Sequence, residues 1–128
     1  MFSSKSSSSS NSNIYATGDV QAAVSDVRYK ENIADLETTH SSSVIEKLRP
    51  VQFTWKNNAI NEARRGTDDV GLIAQELVDV FPEACEVMDF DRVKGVHTIR
   101  YEKLIPVIIA SHKSLLERVK RLEDALFS

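Results

Sequence analysis

After Met1 and Phe2 no apolar side chain occurs until Ile14. A stretch so poor in apolar groups cannot repay the entropy of ordering, so it is expected to be disordered or a linker. From Ile14 to Val24 the sequence IYATGDVQAAV changes character. Gly18-Asp19 is a turn signal, and Val20 to Val24 has the composition of a short strand. Farther on, Val44, Ile45 and Leu48 fall at helical spacing until Pro50 ends the run. The preceding Thr38 to Ser43, TTHSSS, is rich in capping and turn residues, which predicts a helix of about two turns starting near Ser43. The period then changes: Val51, Phe53 and Trp55 alternate with polar residues up to Lys56, the pattern of a strand with one buried face. Asn57 to Asp69 is polar and reads as a hairpin-like excursion or loop. Leu72, Ile73, Leu77, Val78 and Phe81 mark the apolar side of a second helix opened by Gly71 and stopped by Pro82. Glu86 to Phe90 and Val96 to Arg100 read as two short strands joined through Asp91 to Gly95.

The last segment carries the most regular pattern. Tyr101, Ile105, Ile108, His112, Leu115, Val119, Leu122 and Leu126 follow alternating steps of four and three. That is a heptad seam, with Tyr101, Ile108, Leu115 and Leu122 at d and the others at a. Pro106 fits only near the first turn of such a helix, where its missing N–H costs least, so the regular coil is expected to begin close to it. Isoleucine at both a and d favours three strands over two, and Ile109 and Leu116 at e widen the stripe beyond what two strands bury. Arg118 at g would face Glu123 at e of a parallel neighbour, which sets register more than it adds energy. His112 at a would place three imidazoles around one axis, either a source of pH sensitivity or a small polar layer, with the layer the preferred reading. The alternative for the whole helix is a stripe packed on its own domain.

These elements give an α+β chain: a small mixed domain of helices and short strands, followed by a long C-terminal helix forming a parallel trimeric coiled coil. Composition adds mainly exclusions. The 128 residues have room for one modest core, and 41% hydrophobic with 27% charged is ordinary for a soluble globular protein. A formal charge of −3 and a pI near 5.6 give no electrostatic reason to bind nucleic acid or an anionic membrane. No run approaches a membrane span, and the serine-rich start lacks the apolar core of a secretory signal. Cys85, alone, can form neither an intrachain disulfide nor a cysteine-based metal site and reads as a small, partly buried side chain. His97 has no second ligand in spacing, so no metal is expected there, and no cofactor is implied. Trp55 reads as core, Arg64-Arg65 as a solvated pair and Gln75-Glu76 as a polar face.

One stretch has chemistry. In SDVRYKENI, Ser25 to Ile33, a hydroxyl and an amine stand five residues apart. Serine is a poor nucleophile at neutral pH until a neighbouring base takes its proton. A lysine serves when burial lowers its pKa from about 10.4 toward about 7–8. Ser25 is the candidate nucleophile and Lys30 the candidate base.

SDVRYKENI resembles the start of the self-cleaving C-terminal chaperone domain of phage tailspikes, tail fibres and endosialidases, which the eukaryotic myelin regulatory factor also carries. RPVQFTWK from Arg49, GLIAQELVDVFPE from Gly71 and RYEKLIPVIIASHKSLLERV from Arg100 resemble the same family in the same order. The resemblance covers most of Ser25 to Ser128. It implies a Ser25–Lys30 dyad cleaving the bond just before the serine, Val24–Ser25, and it implies a homotrimer. Tyr29 departs from the pattern, which expects an aliphatic residue there.

The domains expected are a leader and end of an upstream module over 1–24 and a chaperone over 25–128, with a trimerisation helix at 101–127. The expected function is an intramolecular chaperone that trimerises, templates an upstream viral fibre or spike, and releases itself by serine-type autoproteolysis. Asn32 and Arg28 are candidates for stabilising the oxyanion or positioning the reacting groups. The seam is Ile105, Ile108, His112, Leu115, Val119, Leu122 and Leu126. Partners are two further copies and the upstream fibre of the same chain, with no nucleic acid and no membrane. The expected location is a virion fibre or spike precursor made in the host cytoplasm. Two other readings remain open: a trimerisation module without catalysis, and a self-cleaving processing domain of a membrane-tethered transcription factor.

Overall fold

A computed structural model of the chain describes residues 23–127. The serine-rich leader, the Gly18-Asp19 turn and the strand expected from Val20 lie outside the described residues, except for the strand's last two positions, which are not in a strand. The chain divides into two units, Met1–Ala34 and Asp35–Ser128.

In the larger unit, helix α1 spans Thr38–Lys47, five residues earlier than its apolar spacing suggests. Its cap is Glu37, whose carboxylate accepts the N–H groups of Thr39 at 2.8 Å and His40 at 2.7 Å. The serines then serve inside the helix. Ser41 is buried, and its hydroxyl donates to the Glu37 carbonyl at 2.8 Å, so it crosses the interior without an orphaned polar group. Strand β1, Val51–Thr54, pairs antiparallel with β2, Asp68–Gly71, in the register Val51 to Gly71 and Thr54 to Asp68. The connection is a hairpin, as expected, but Asp68 and Asp69 belong to its return strand. Trp55 extends the ladder by one step, through its N–H to Thr67 and its carbonyl to Gly66, where a φ of 79° lets the chain reverse.

Gly71 therefore ends a strand rather than opening a helix. Helix α2 is a single turn, Ala74–Leu77, and Pro82 begins a 3-10 turn, Pro82–Ala84, rather than only stopping one. Leu77, Phe81 and Ala84 all point into the core, which accounts for the helical spacing without a continuous helix. Strands β3, Cys85–Phe90, and β4, Val93–Ile99, form a second antiparallel hairpin with a register shift between Met88 and Phe90. A 3-10 turn, Tyr101–Lys103, leads into helix α3, Leu104–Phe127. Pro106 sits in the first turn of α3, where no N–H has an intrahelical acceptor.

The core is Val44 from α1, Leu77 from α2, Phe81, Ala84, and Leu104 and Val107 from α3. Helix α3 has two faces. Leu104, Val107 and Ala110 are buried on the side packed against α1, with Ser111 and Ser114 half-buried beside them. The other side carries Ile105, Ile108, Ile109, Leu115, Leu116, Val119, Leu122 and Leu126, all exposed in the single chain. Tyr101 precedes α3 and is not part of that stripe; its hydroxyl accepts the Leu72 N–H at 2.9 Å.

Candidate active site

The smaller unit is described from Ala23, and its local fold follows from Asp26. That residue has extended backbone, φ −75° and ψ 133°, and its carboxylate accepts the Arg28 N–H at 2.8 Å. An aspartate with its side chain bonded two residues ahead mimics a backbone turn. The result is one 3-10 turn, Val27–Tyr29, closed by the Lys30 N–H donating to the Val27 carbonyl at 3.1 Å. The turn brings positions 25 and 30 onto one side, and the Lys30 ammonium donates to Ser25 Oγ at 2.7 Å. With the amine neutral, the same separation lets Nζ accept the hydroxyl proton, within the 2.6–3.2 Å span that general-base transfer needs, roughly. Ser25 and Lys30 are both exposed, and Val24 is exposed beside them.

Arg28 is committed locally. Its guanidinium holds Asp26 through Nε at 3.2 Å to both carboxylate oxygens and Nη2 at 3.0 Å to Oδ2, and it lies 5.8 Å from the Tyr29 ring centroid. The Arg28 side chain, and after it the Arg28 backbone N–H, hold the Asp26 carboxyl below the usual carboxylate range. Asn32 has a φ of 55°, in the left-handed region that asparagine tolerates better than most residues. Asp26 itself is absent from the sequence expectations. The available signal was an aspartate directly after the serine, in the position that starts such turns.

The other singled-out residues fall elsewhere. His97 is exposed on β4 opposite Val87. Arg64 is not simply solvated: it pairs with Asp69 at 3.0 Å, and Asp69 also accepts the Trp55 indole N–H at 3.1 Å. Trp55 is half-buried and meets Phe53 edge-on, with ring centroids 5.0 Å apart. These side chains line a groove of about 640 Å³ between the hairpins, whose charged Arg64 and Asp69 already satisfy each other. Glu76 receives Arg49 through two bonds, of 3.0 and 2.5 Å. Cys85 is half-buried, and burial pushes its thiol up. Among the described residues no group of three His, Cys, Asp or Glu side chains gathers within the chain, and no helix is long and apolar enough to cross a membrane.

Residues 25–86 match the family model described as chaperone of endosialidase, a match that begins at the candidate nucleophile. The chain is 30% identical over 102 residues to the long tail fiber protein Gp37 of Enterobacteria phage K3, covering 80% of this chain and 8% of that protein. It is likewise 30% identical over 102 residues to the Gp37 of Enterobacteria phage T2, covering 80% of this chain and 7% of the relative. The chain thus spans less than a tenth of the length of the tail fibre proteins it matches. A solved structure described as a novel intramolecular chaperone aligns with 73% of this chain and 99% of its own, at 20% identity and a TM-score of 0.49.

Proposed function

Residues 25–86 belong to the chaperone-of-endosialidase family, and from that premise we propose that the chain is a trimeric intramolecular chaperone that severs itself from an upstream phage fibre or spike at Val24–Ser25. The observation that carries the catalytic part is the 2.7 Å approach of Lys30 Nζ to Ser25 Oγ. Ser25 lies on the amine side of the bond to be cut. Its Oγ attacks the Val24 carbonyl through a five-membered ring while Lys30 takes the hydroxyl proton. Collapse breaks the C–N bond, and Lys30 returns the proton to the leaving amine of Ser25. An ester between Val24 and Ser25 Oγ remains; water hydrolyses it to a Val24 carboxylate and the free hydroxyl. Arg28 is a positioning residue, holding Asp26 and hence the turn, and Asn32 is the candidate to stabilise the oxyanion.

The assembly part rests on the exposed stripe of α3. From Ile105 to Leu126 it runs about 33 Å at the rise of an α-helix. An apolar stripe of that length, opposite the face already packed on α1, suits burial against further copies. Trimerisation would hold three upstream chains in register, as a template for a fibre made in the host and carried on the virion.

The exposure of Ser25 and Lys30 in the single chain supports a second reading, a trimerisation module without catalysis. Denaturing mass spectrometry of the purified chain separates the two. Self-cleavage yields a fragment running from Ser25 to Ser128, and a single intact mass after prolonged native incubation excludes the enzyme.

A further inference from the structure

Along the exposed stripe of α3, the a and d positions are Ile105, Ile108, His112, Leu115, Val119, Leu122 and Leu126. His112 is the one polar side chain among them. Its neighbours one helical turn away on either side, Ile108, Ile109, Leu115 and Leu116, are all apolar, so none of them can accept or donate a hydrogen bond to the imidazole. Exposed in the single chain, the ring is solvated by water. Closing the stripe removes that water, and a buried polar group without a partner is costly.

Symmetry decides what the partner is. This step rests on the trimeric reading proposed above. Three copies of His112 in one a layer surround the threefold axis, and in a symmetric layer the same ring nitrogen of each copy turns its lone pair toward that axis. Three converging lone pairs repel one another unless a cation sits between them. Neutral imidazole is a favoured ligand of zinc-class divalent ions, and three imidazoles plus one water complete a tetrahedral site. We propose that the assembled trimer binds one zinc-class divalent metal ion on its axis through the three His112 side chains. A single chain carries no such set, because the ligands come one from each copy.

The test uses the full chain, stripped of metal with chelator and then dialysed, with its mass in solution measured first by light scattering. Zinc chloride is titrated calorimetrically near neutral pH. The expected result is one zinc per three chains and a thermal unfolding midpoint raised by several degrees, since a ligand bound only to the assembled state stabilises it. His112→Asn should stay trimeric and lose both responses. The chain has two other histidines, His40 and His97, and replacing both with glutamine should leave zinc binding at the same stoichiometry. A trimer that takes up no zinc, or that binds chloride instead, overturns the metal site and leaves the trimer standing. Zinc binding that survives His112→Asn also overturns it. A monomeric chain overturns the trimeric reading and the metal site together.

Discussion

The hydroxyl of Tyr101 accepts the backbone N–H of Leu72 at 2.9 Å, and the same oxygen lies 2.7 Å from where a Cβ on Gly71 would be. One oxygen therefore ties the end of the first hairpin to the turn that launches the long helix, and it fits because position 71 has no side chain. Tyr101→Phe should lower stability by about 0.5–1 kcal/mol, the low end for a hydrogen bond at a partly exposed site. Gly71→Ala should destabilise by pushing the hydroxyl off Leu72. The double variant should cost less than the sum, because phenylalanine has no oxygen for the new methyl to strike. Urea denaturation of the four proteins measures the coupling; strict additivity would mean that the two positions do not communicate.

Chemistry and folding should separate at the dyad. Ser25→Ala removes one oxygen from an exposed position without opening a cavity, so the protein should keep its fold and oligomeric state and remain uncleaved. Lys30→Arg should also stay intact, since a guanidinium remains protonated and cannot act as base. Electrophoresis after prolonged incubation reads both. Cleavage of Lys30→Arg at the parental rate would remove Lys30 from the mechanism.

Cleavage should depend on assembly. Neighbouring copies packed against the exposed pair would withdraw water from the amine and favour its neutral form. Leu115→Asp with Leu122→Asp puts two carboxylates per chain into the stripe, and burying unpaired charge is prohibitive for a short coil. The double variant should be monomeric by light scattering and uncleaved in the same sample. A monomer that still yields the Ser25 fragment at full rate would make the dyad competent within one chain.

Acid should loosen the larger unit through its capped carboxylates. The N–H groups of His40 and Thr39 hold Glu37 below its ordinary value of 4.5. The Arg49 side chain does the same for Glu76, and the Val70 N–H and the Trp55 indole do so for Asp69. A carboxyl whose folded pKa is depressed contributes stability that is present above its unfolded value and lost as pH falls through the folded one. The urea midpoint should therefore drop between pH 6 and pH 3. Glu37→Gln should show a shallower drop, because an amide cap does not titrate. An unchanged slope would mean that the cap contributes nothing.

What could be read from residue types was mostly what depends on spacing alone. The five-residue step from Ser25 to Lys30, the alternation of Val51, Phe53 and Trp55, and the apolar positions from Ile105 to Leu126 each form a spatial grouping, although Tyr101, expected at d, lies outside the α3 stripe. Two of the failures share a cause, which is backbone hydrogen bonding by side chains. Thr38 to Ser43 looked like turn composition, yet Glu37 caps the helix and Ser41 bonds back along it, so those hydroxyls cost the helix little. Asp26 acts through the backbone, bending the chain beneath Ser25 and Lys30. The helix expected from Gly71 to Phe81 broke into a strand end, one helical turn and an irregular link, because burial of Leu77, Phe81 and Ala84 constrains side chains and not the backbone between them.

Helix α3 is covered by α1 only through its first half, about as far as Ser114, and every described residue beyond that point is exposed. A peptide of that length is marginal as an isolated helix in water. On the trimeric reading proposed above, its order in solution comes from the copies lying along it and rises with the number of chains per litre. Far-ultraviolet ellipticity at 222 nm should accordingly be a dilution curve, weakening as the sample is thinned while the hairpins and α1 hold. The outer half of the helix would serve as the molecule's own gauge of how many copies of itself are near.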